Sequence, residues 1–200
     1  MATYEPHDRF YRKAREKGLP SRAAFKLEEI LARHRLAPAG ARVIDLGCAP
    51  GGWLAILAQA VGPTGRVVGI DLASCKNFGP VTISIAGDIL DPEVLKRACD
   101  ALGGRADLVT SDLSPKLSGI ADRDQARSRE LLNAAIGVAQ RALRPDGAMV
   151  AKLFMGGEFK EAVNAFEHQF KHVEVVRTRA SRPGSSELYV IARGMRLQSP

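Results

Sequence analysis

The chain is poor in cysteine: Cys48, Cys75 and Cys99 are the only three in 200 residues, widely spaced and without a Cys-x-x-Cys. That excludes a disulfide framework and a zinc cage of paired thiols, and it fits reduced thiols in a cytoplasmic protein. No apolar run approaches the roughly 20 residues needed to span a bilayer, so no membrane partner is expected. Met1 to Arg9 hold no apolar stretch of the kind a secretory leader carries, and none is expected. Internal repeats and low-complexity tracts are lacking. Acidic charge is in deficit, 22 Asp+Glu against 29 Lys+Arg, for a formal charge of +7. Such an excess steers a protein toward polyanions without specifying one.

The rest is ordinary globular composition, 46% apolar and 26% charged. The length suits one domain with a core that needs no staples. We divide it into a basic N-terminal segment over 1–20 and a single domain over 21–200. Short β-rich runs alternate with helical stretches, the pattern of an α/β domain. Strands are expected over 43–46, 66–71, 81–86, 107–112, 149–154, 173–176 and 188–192. Helices are expected from Ser21, as a cap, to His34, then over 53–61, from Asp91-Pro92, over 122–143, and along the Phe159, Val163, Phe166, Phe170 face. Arg144-Pro145-Asp146-Gly147 reads as a turn. The order predicts a doubly wound, Rossmann-like, mostly parallel sheet of seven strands with one antiparallel strand near its end.

In such sheets ligands sit beyond the carboxyl ends of the strands. The turn after the first strand is Asp45-Leu46-Gly47-Cys48-Ala49-Pro50-Gly51-Gly52-Trp53. Ala49 breaks the Gly-x-Gly-x-x-Gly fingerprint of dinucleotide sites. Asp71 closes the second strand and Asp88 follows the third, placing two acids on the same rim. A sulfonium nucleoside suits an acid-lined site better than a pyrophosphate does, which favours S-adenosyl-L-methionine over NAD.

Asp112 ends the fourth strand, Lys152 interrupts the apolar run Val150 to Phe154, and Glu187 opens the last strand. Lysine is rarely buried without a partner. Lys152 is therefore either a reactive group or one half of a structural ion pair with Asp112. His168 and His172, four apart, have no evident third ligand, so no metal is expected.

Several stretches together resemble the FtsJ/RrmJ family of RNA ribose 2′-O-methyltransferases over roughly residues 9 to 195. They are Ser21 to Leu27, Asp45 to Trp53, Ser111 to Gly119, Asp124 to Ser128, and Ser181 to Gly194. The resemblance implies a catalytic tetrad at Lys26, Asp112, Lys152 and Glu187. It implies cofactor contacts at Gly51, Trp53, Asp71, Asp88 and Asp112, with S-adenosyl-L-methionine as methyl donor and no metal. By pattern alone Lys26 is one lysine on an amphipathic helix. The compact form resembles the bacterial branch that methylates a uridine in the A-loop of 23S rRNA on the large ribosomal subunit. RNA rather than DNA is then the partner, and a monomer is the expected state. A transfer RNA methyltransferase, and a non-catalytic RNA-binding assembly factor on the same scaffold, are the alternatives. Cys48, Ser114 and Lys116 depart from the family's usual Ala, Ala and Asn.

The excess charge falls in two segments. Residues 9–26 hold seven bases against Glu16, and residues 171–196 hold six against Glu174 and Glu187. Each contains one of the four tetrad positions, so both are expected to flank the same rim and to track RNA phosphates.

Overall fold

The computed structural model describes residues 9–16, 18–115, 118–182 and 184–196. Lys116 therefore lies outside the described residues, as does Lys17 of the basic segment. Its centre is a seven-stranded sheet in the order β3-β2-β1-β4-β5-β7-β6. The strands are β1 Arg42–Leu46, β2 Arg66–Asp71, β3 Thr82–Ala86, β4 Ala106–Ser111, β5 Leu143–Phe154, β6 Phe170–Val176 and β7 Glu187–Met195. Only β7 runs against its neighbours, pairing antiparallel with both β5 and β6. Val43, Ile44, Val67 and Val68 are wholly buried because helices cover both faces, and such strands read as unbroken apolar runs. At the edge, β6 carries exposed Lys171, His172 and Glu174, which discourage pairing with a further strand.

The helices are α1 Arg9–Glu16, α2 Ala23–His34, α3 Gly52–Val61, α4 Pro92–Leu102, α5 Ala121–Ala142 and α6 Phe159–Gln169. α2 and α3 pack on one face through Leu27, Ile30, Leu54 and Leu57. α4, α5 and α6 cover the other through Val94, Leu95, Ile136, Val138 and Phe166. α4 begins as its sequence predicts: the Asp91 carboxylate accepts the Glu93 N–H at 2.9 Å, with Pro92 at the first helical position.

Three expectations change. Ser21 does not cap α2; the helix starts at Ala23 after Arg22, without a side-chain cap. The Ser21 hydroxyl instead fills the space where a Cβ on Gly52 would collide with it, letting α2 and α3 approach closely. Residues 144–147 do not separate α5 from β5. They lie within β5 as an irregularity, where pairing shifts between Ala106 and Leu108 and exposed Arg144, Pro145 and Asp146 swing outward. The N-terminal segment contains α1, whose buried Ala14 packs with Phe25 and Ala180.

Candidate active site

Parallel neighbours bring the ends of β1 to β4 onto one rim. The Gly47 N–H donates to the Ile70 carbonyl at 2.9 Å, Gly87 N–H to Asp71 at 2.8 Å, and Asp112 N–H to Leu46 at 3.1 Å. The turn after β1 is thereby tied to β2, the segment after β3 to the end of β2, and the segment after β4 to the end of β1.

That turn is held by an acid. Asp71 Oδ2 accepts the Ala49 N–H at 3.0 Å, and its Oδ1 accepts the Ala73 N–H at 2.9 Å. Asp88 is exposed beyond β3 and accepts the Leu90 N–H at 3.0 Å. Gly51 caps α3 at φ +107°, and a Cβ there would lie 2.5 Å from the Phe78 ring. Trp53 is 3% exposed; its indole N–H donates to the Ala23 carbonyl at 2.9 Å and its ring packs on Tyr189. What Trp53 offers a ligand at the turn is thus its backbone N–H in the first turn of α3, where intrahelical partners are lacking.

Sequence reading missed Asp45, which faces Thr110 across the β1–β4 pair. It is completely buried, accepts the Thr110 hydroxyl on Oδ1 at 2.7 Å, and leaves Oδ2 without a partner. Burial, reinforced by the Asp112 and Asp71 charges and opposed by Thr110, pushes its carboxyl up to about 8. The residues present fit a cationic nucleoside cofactor: rim carboxylates at Asp71 and Asp88, a turn open only to glycine at Gly51, and an unpartnered acid oxygen beneath it. The cysteines, read as isolated, include two neighbours here, with the Cys75 thiol 3.9 Å from the Cys48 carbonyl oxygen.

The four residues singled out for chemistry form two ion pairs at the same rim. Lys152 Nζ lies 2.9 Å from Asp112 Oδ1 and donates to the Asp112 carbonyl at 2.8 Å. Lys26 Nζ lies 2.6 and 2.8 Å from the two Glu187 oxygens. Strand register explains the second pair's place. Lys152 stands opposite Tyr189, and Glu187, two residues before Tyr189, shares its face of the sheet. α2 delivers Lys26 from that same side.

Burial raises Asp112 above the ordinary aspartate range, against the pull of the Lys152 and Lys26 charges. Glu187 goes the other way. Burial alone would raise it, but the Lys26 bond and charge, with the Tyr189 hydroxyl, hold it below the usual glutamate range. Tyr189 donates to Glu187 at 2.9 Å, and burial first, then the nearby acids, keep it protonated. Ser181 also reaches Glu187, at 3.4 Å. Alternation along β7 was the available signal for Tyr189.

Half of the C-terminal basic cluster is elsewhere. β6 starts and β7 ends at the opposite edge, where Phe170 pairs with Met195, so Lys171, Arg193 and Arg196 lie away from the rim. Arg177, Arg179 and Arg182 stay beside it, in the loop that Arg22 ties to α2 through the Ala180 carbonyl. No group of three or more His, Cys, Asp or Glu able to hold a metal occurs among the described residues. Nor is any helix among them long and apolar enough to cross a membrane.

Known proteins resemble the chain over most of its length. A ribosomal RNA large subunit methyltransferase E of Anaeromyxobacter dehalogenans is 47% identical over 96% of this chain and 73% of its own length. The protein of that name in Syntrophobacter fumaroxidans is 42% identical over 98% of each chain. The fold matches a crystal structure described as a ribosomal RNA methyltransferase of Plasmodium falciparum. That match has a TM-score of 0.72 and 21% identity, over 88% of this chain and 97% of the other. The FtsJ-like methyltransferase model covers residues 19–195, from before α2 to the end of β7, and the chain belongs to that family.

Proposed function

We propose that the chain transfers a methyl group from S-adenosyl-L-methionine to a ribose 2′-OH of ribosomal RNA, a uridine in the A-loop of 23S rRNA on the large subunit. The observation that carries this is the Lys152–Asp112 pair, recessed at the rim beside the glycine-rich turn and backed by Lys26–Glu187. The names of the close relatives support the RNA class.

When bound, the cofactor supplies a methyl already activated by its sulfonium. A ribose hydroxyl is a weak nucleophile, so the chain's part is alignment and proton removal. Lys152 Nζ receives the 2′-OH proton as the oxygen–carbon bond forms and the carbon–sulfur bond breaks. Asp112 holds that nitrogen through its carbonyl and carboxylate, which orients it toward the hydroxyl. Glu187, fixed by Lys26 and Tyr189, accepts a hydrogen bond from the ribose and balances the cations.

The test is tritiated methyl transfer to large subunits from a methyl-deficient strain, with the modified ribose mapped. Transfer to one 2′-O position, abolished in Lys152→Ala with S-adenosylhomocysteine binding intact, is the expected result. Equal labelling of naked transfer RNA would defeat the ribosomal reading, and failure to bind the cofactor would favour a non-catalytic factor.

A further inference from the structure

Cys48 and Cys75 meet where the glycine-rich turn touches the segment after β2. Cys48 sits inside the turn, between Gly47 and Ala49, and is 2% exposed. Cys75 follows Asp71 by four residues and is half-buried. Its thiol lies 3.9 Å from the Cys48 carbonyl oxygen and shares a hydrogen bond with the Cys48 side chain. Cys75 Sγ also stands 3.0 Å from the place a Cβ on Gly51 would take, at the start of α3. The same stretch begins with the Asp71 carboxylate that holds the Ala49 N–H, so the two sulfurs face each other across the segments that build the cradle. The third cysteine, Cys99, is on α4 at the opposite face of the sheet.

We propose that this pair is a thiol-modification site in the cofactor cradle: Cys75 exchanges with a low-molecular-weight disulfide, Cys48 resolves it, and the resulting Cys48–Cys75 bond lowers cofactor affinity. The inference rests on the reading of this turn as the S-adenosyl-L-methionine site. Cys75, the more accessible sulfur, attacks as thiolate; the reagent's S–S bond breaks, a mixed disulfide forms and the first reagent thiol leaves. The Cys48 thiolate then attacks the Cys75 sulfur and releases the second. Two protein thiols are oxidised, one disulfide is reduced to two thiols, and the two protons go with them. Exposed Lys76, next in sequence, favours an anionic reagent such as oxidised glutathione. Burial raises the Cys75 thiol above its ordinary 9.0, against the hydrogen bond with Cys48 and the Lys76 charge, so the exchange quickens in alkaline medium. A disulfide holds its sulfurs about 2.0 Å apart, well inside hydrogen-bond range. Closing it draws the turn toward the segment after β2 and disturbs the Ala49 N–H bond to Asp71.

The reduced full-length protein is treated with oxidised glutathione at mildly alkaline pH, digested without reductant and mapped by mass. S-adenosylhomocysteine affinity is measured before oxidation, after it, and after dithiothreitol. The expected result is a Cys48–Cys75 cross-link, an affinity about tenfold weaker, and recovery with the reductant. Coupling is reciprocal at equilibrium. In glutathione redox buffers, saturating S-adenosylhomocysteine should therefore raise the ratio of oxidised to squared reduced glutathione at half cross-linking by the same factor. Cys75→Ser should show one affinity with and without oxidant. A cross-link through Cys99, or none, overturns the site, and a Cys48–Cys75 bond with unchanged affinity overturns its effect. If the reduced protein binds no S-adenosylhomocysteine, the cofactor reading itself fails, while the mapped cross-link still decides the thiol pair. An oxidised protein that loses its far-ultraviolet circular dichroism has been unfolded rather than switched, and that too refutes the proposal.

Discussion

Tyr189 donates its hydroxyl to Glu187 Oε1 at 2.9 Å, two residues along one strand and on one face of the sheet. The Tyr189 ring is fully buried against Trp53, so this hydroxyl has no water to fall back on. Tyr189→Phe leaves the packing and removes the bond. We expect about 1 kcal/mol of lost stability in urea unfolding, with reduced methyl transfer and intact cofactor binding. Unaltered stability and rate together would show that the bond matters to neither.

Lys26 is the stronger partner of the same carboxylate. Lys26→Met strands Glu187 half-buried with only its neutral hydrogen bonds, a loss of about 1.5–3 kcal/mol near neutral pH. The sign with pH follows from Glu187 being lowered in the folded protein. Its contribution is complete above its ordinary value of 4.5 and is lost as pH falls through the lower folded value. Wild type should therefore lose stability on acidification in that range, and Lys26→Met should lose less. Parallel acid profiles of the two proteins would refute the linkage.

Lys152 was legible in the sequence because a charge inside Val150 to Phe154 conflicts with a strand buried on both faces. Lys26 was not, except through family resemblance. Its neighbours Leu27, Ile30 and Leu31 define a buried stripe but say nothing about a partner 161 residues away. α1 escaped notice because Arg9, Arg12, Lys13, Arg15 and Glu16 make its sequence read as a charged appendage, although Ala14 is buried against Phe25 and Ala180. The doubly wound, mostly parallel sheet with one reversed strand followed from alternating strands and helices, whereas the irregular stretch of β5 did not, since Pro145, Asp146 and Gly147 are turn formers in most settings. The misplaced half of the basic cluster was an error of direction: a hairpin returns its second strand to the edge where the first began.

That direction yields a contrast in RNA binding. Exposed Arg15 lies on α1, docked through Ala14 onto Ala180, and exposed Arg179 is beside it in the rim loop. Lys171, equally exposed, opens β6 at the far edge. In filter binding across a salt series, Arg15→Ala and Arg179→Ala should each flatten the log–log slope by about 1, and Lys171→Ala should leave it unchanged. An equal effect of all three would mean that overall charge, and not a track at the rim, governs binding.

A gain of stability is expected from one substitution at the site. Asp45 is wholly buried and its carboxyl is pushed up to about 8 from an ordinary 3.8, chiefly by burial. Between those values the folded protein holds a proton that the unfolded chain has released. Stability therefore falls as pH rises through that window, by up to about 1.4 kcal/mol per unit, and levels off above it. Asp45→Asn keeps the shape and an oxygen for the Thr110 hydroxyl while removing the titration. Urea unfolding at several pH values from mildly acidic to mildly alkaline should show Asp45→Asn gaining steadily on wild type. Above about pH 8, where Asp45 is ionised, the same variant should bind S-adenosylhomocysteine more weakly, because the unpartnered Oδ2 is replaced by an amide donor. Parallel stability profiles would mean that Asp45 stays charged in the folded protein and that water reaches it. Slopes that diverge with unchanged cofactor affinity would confine its role to the core between β1 and β4.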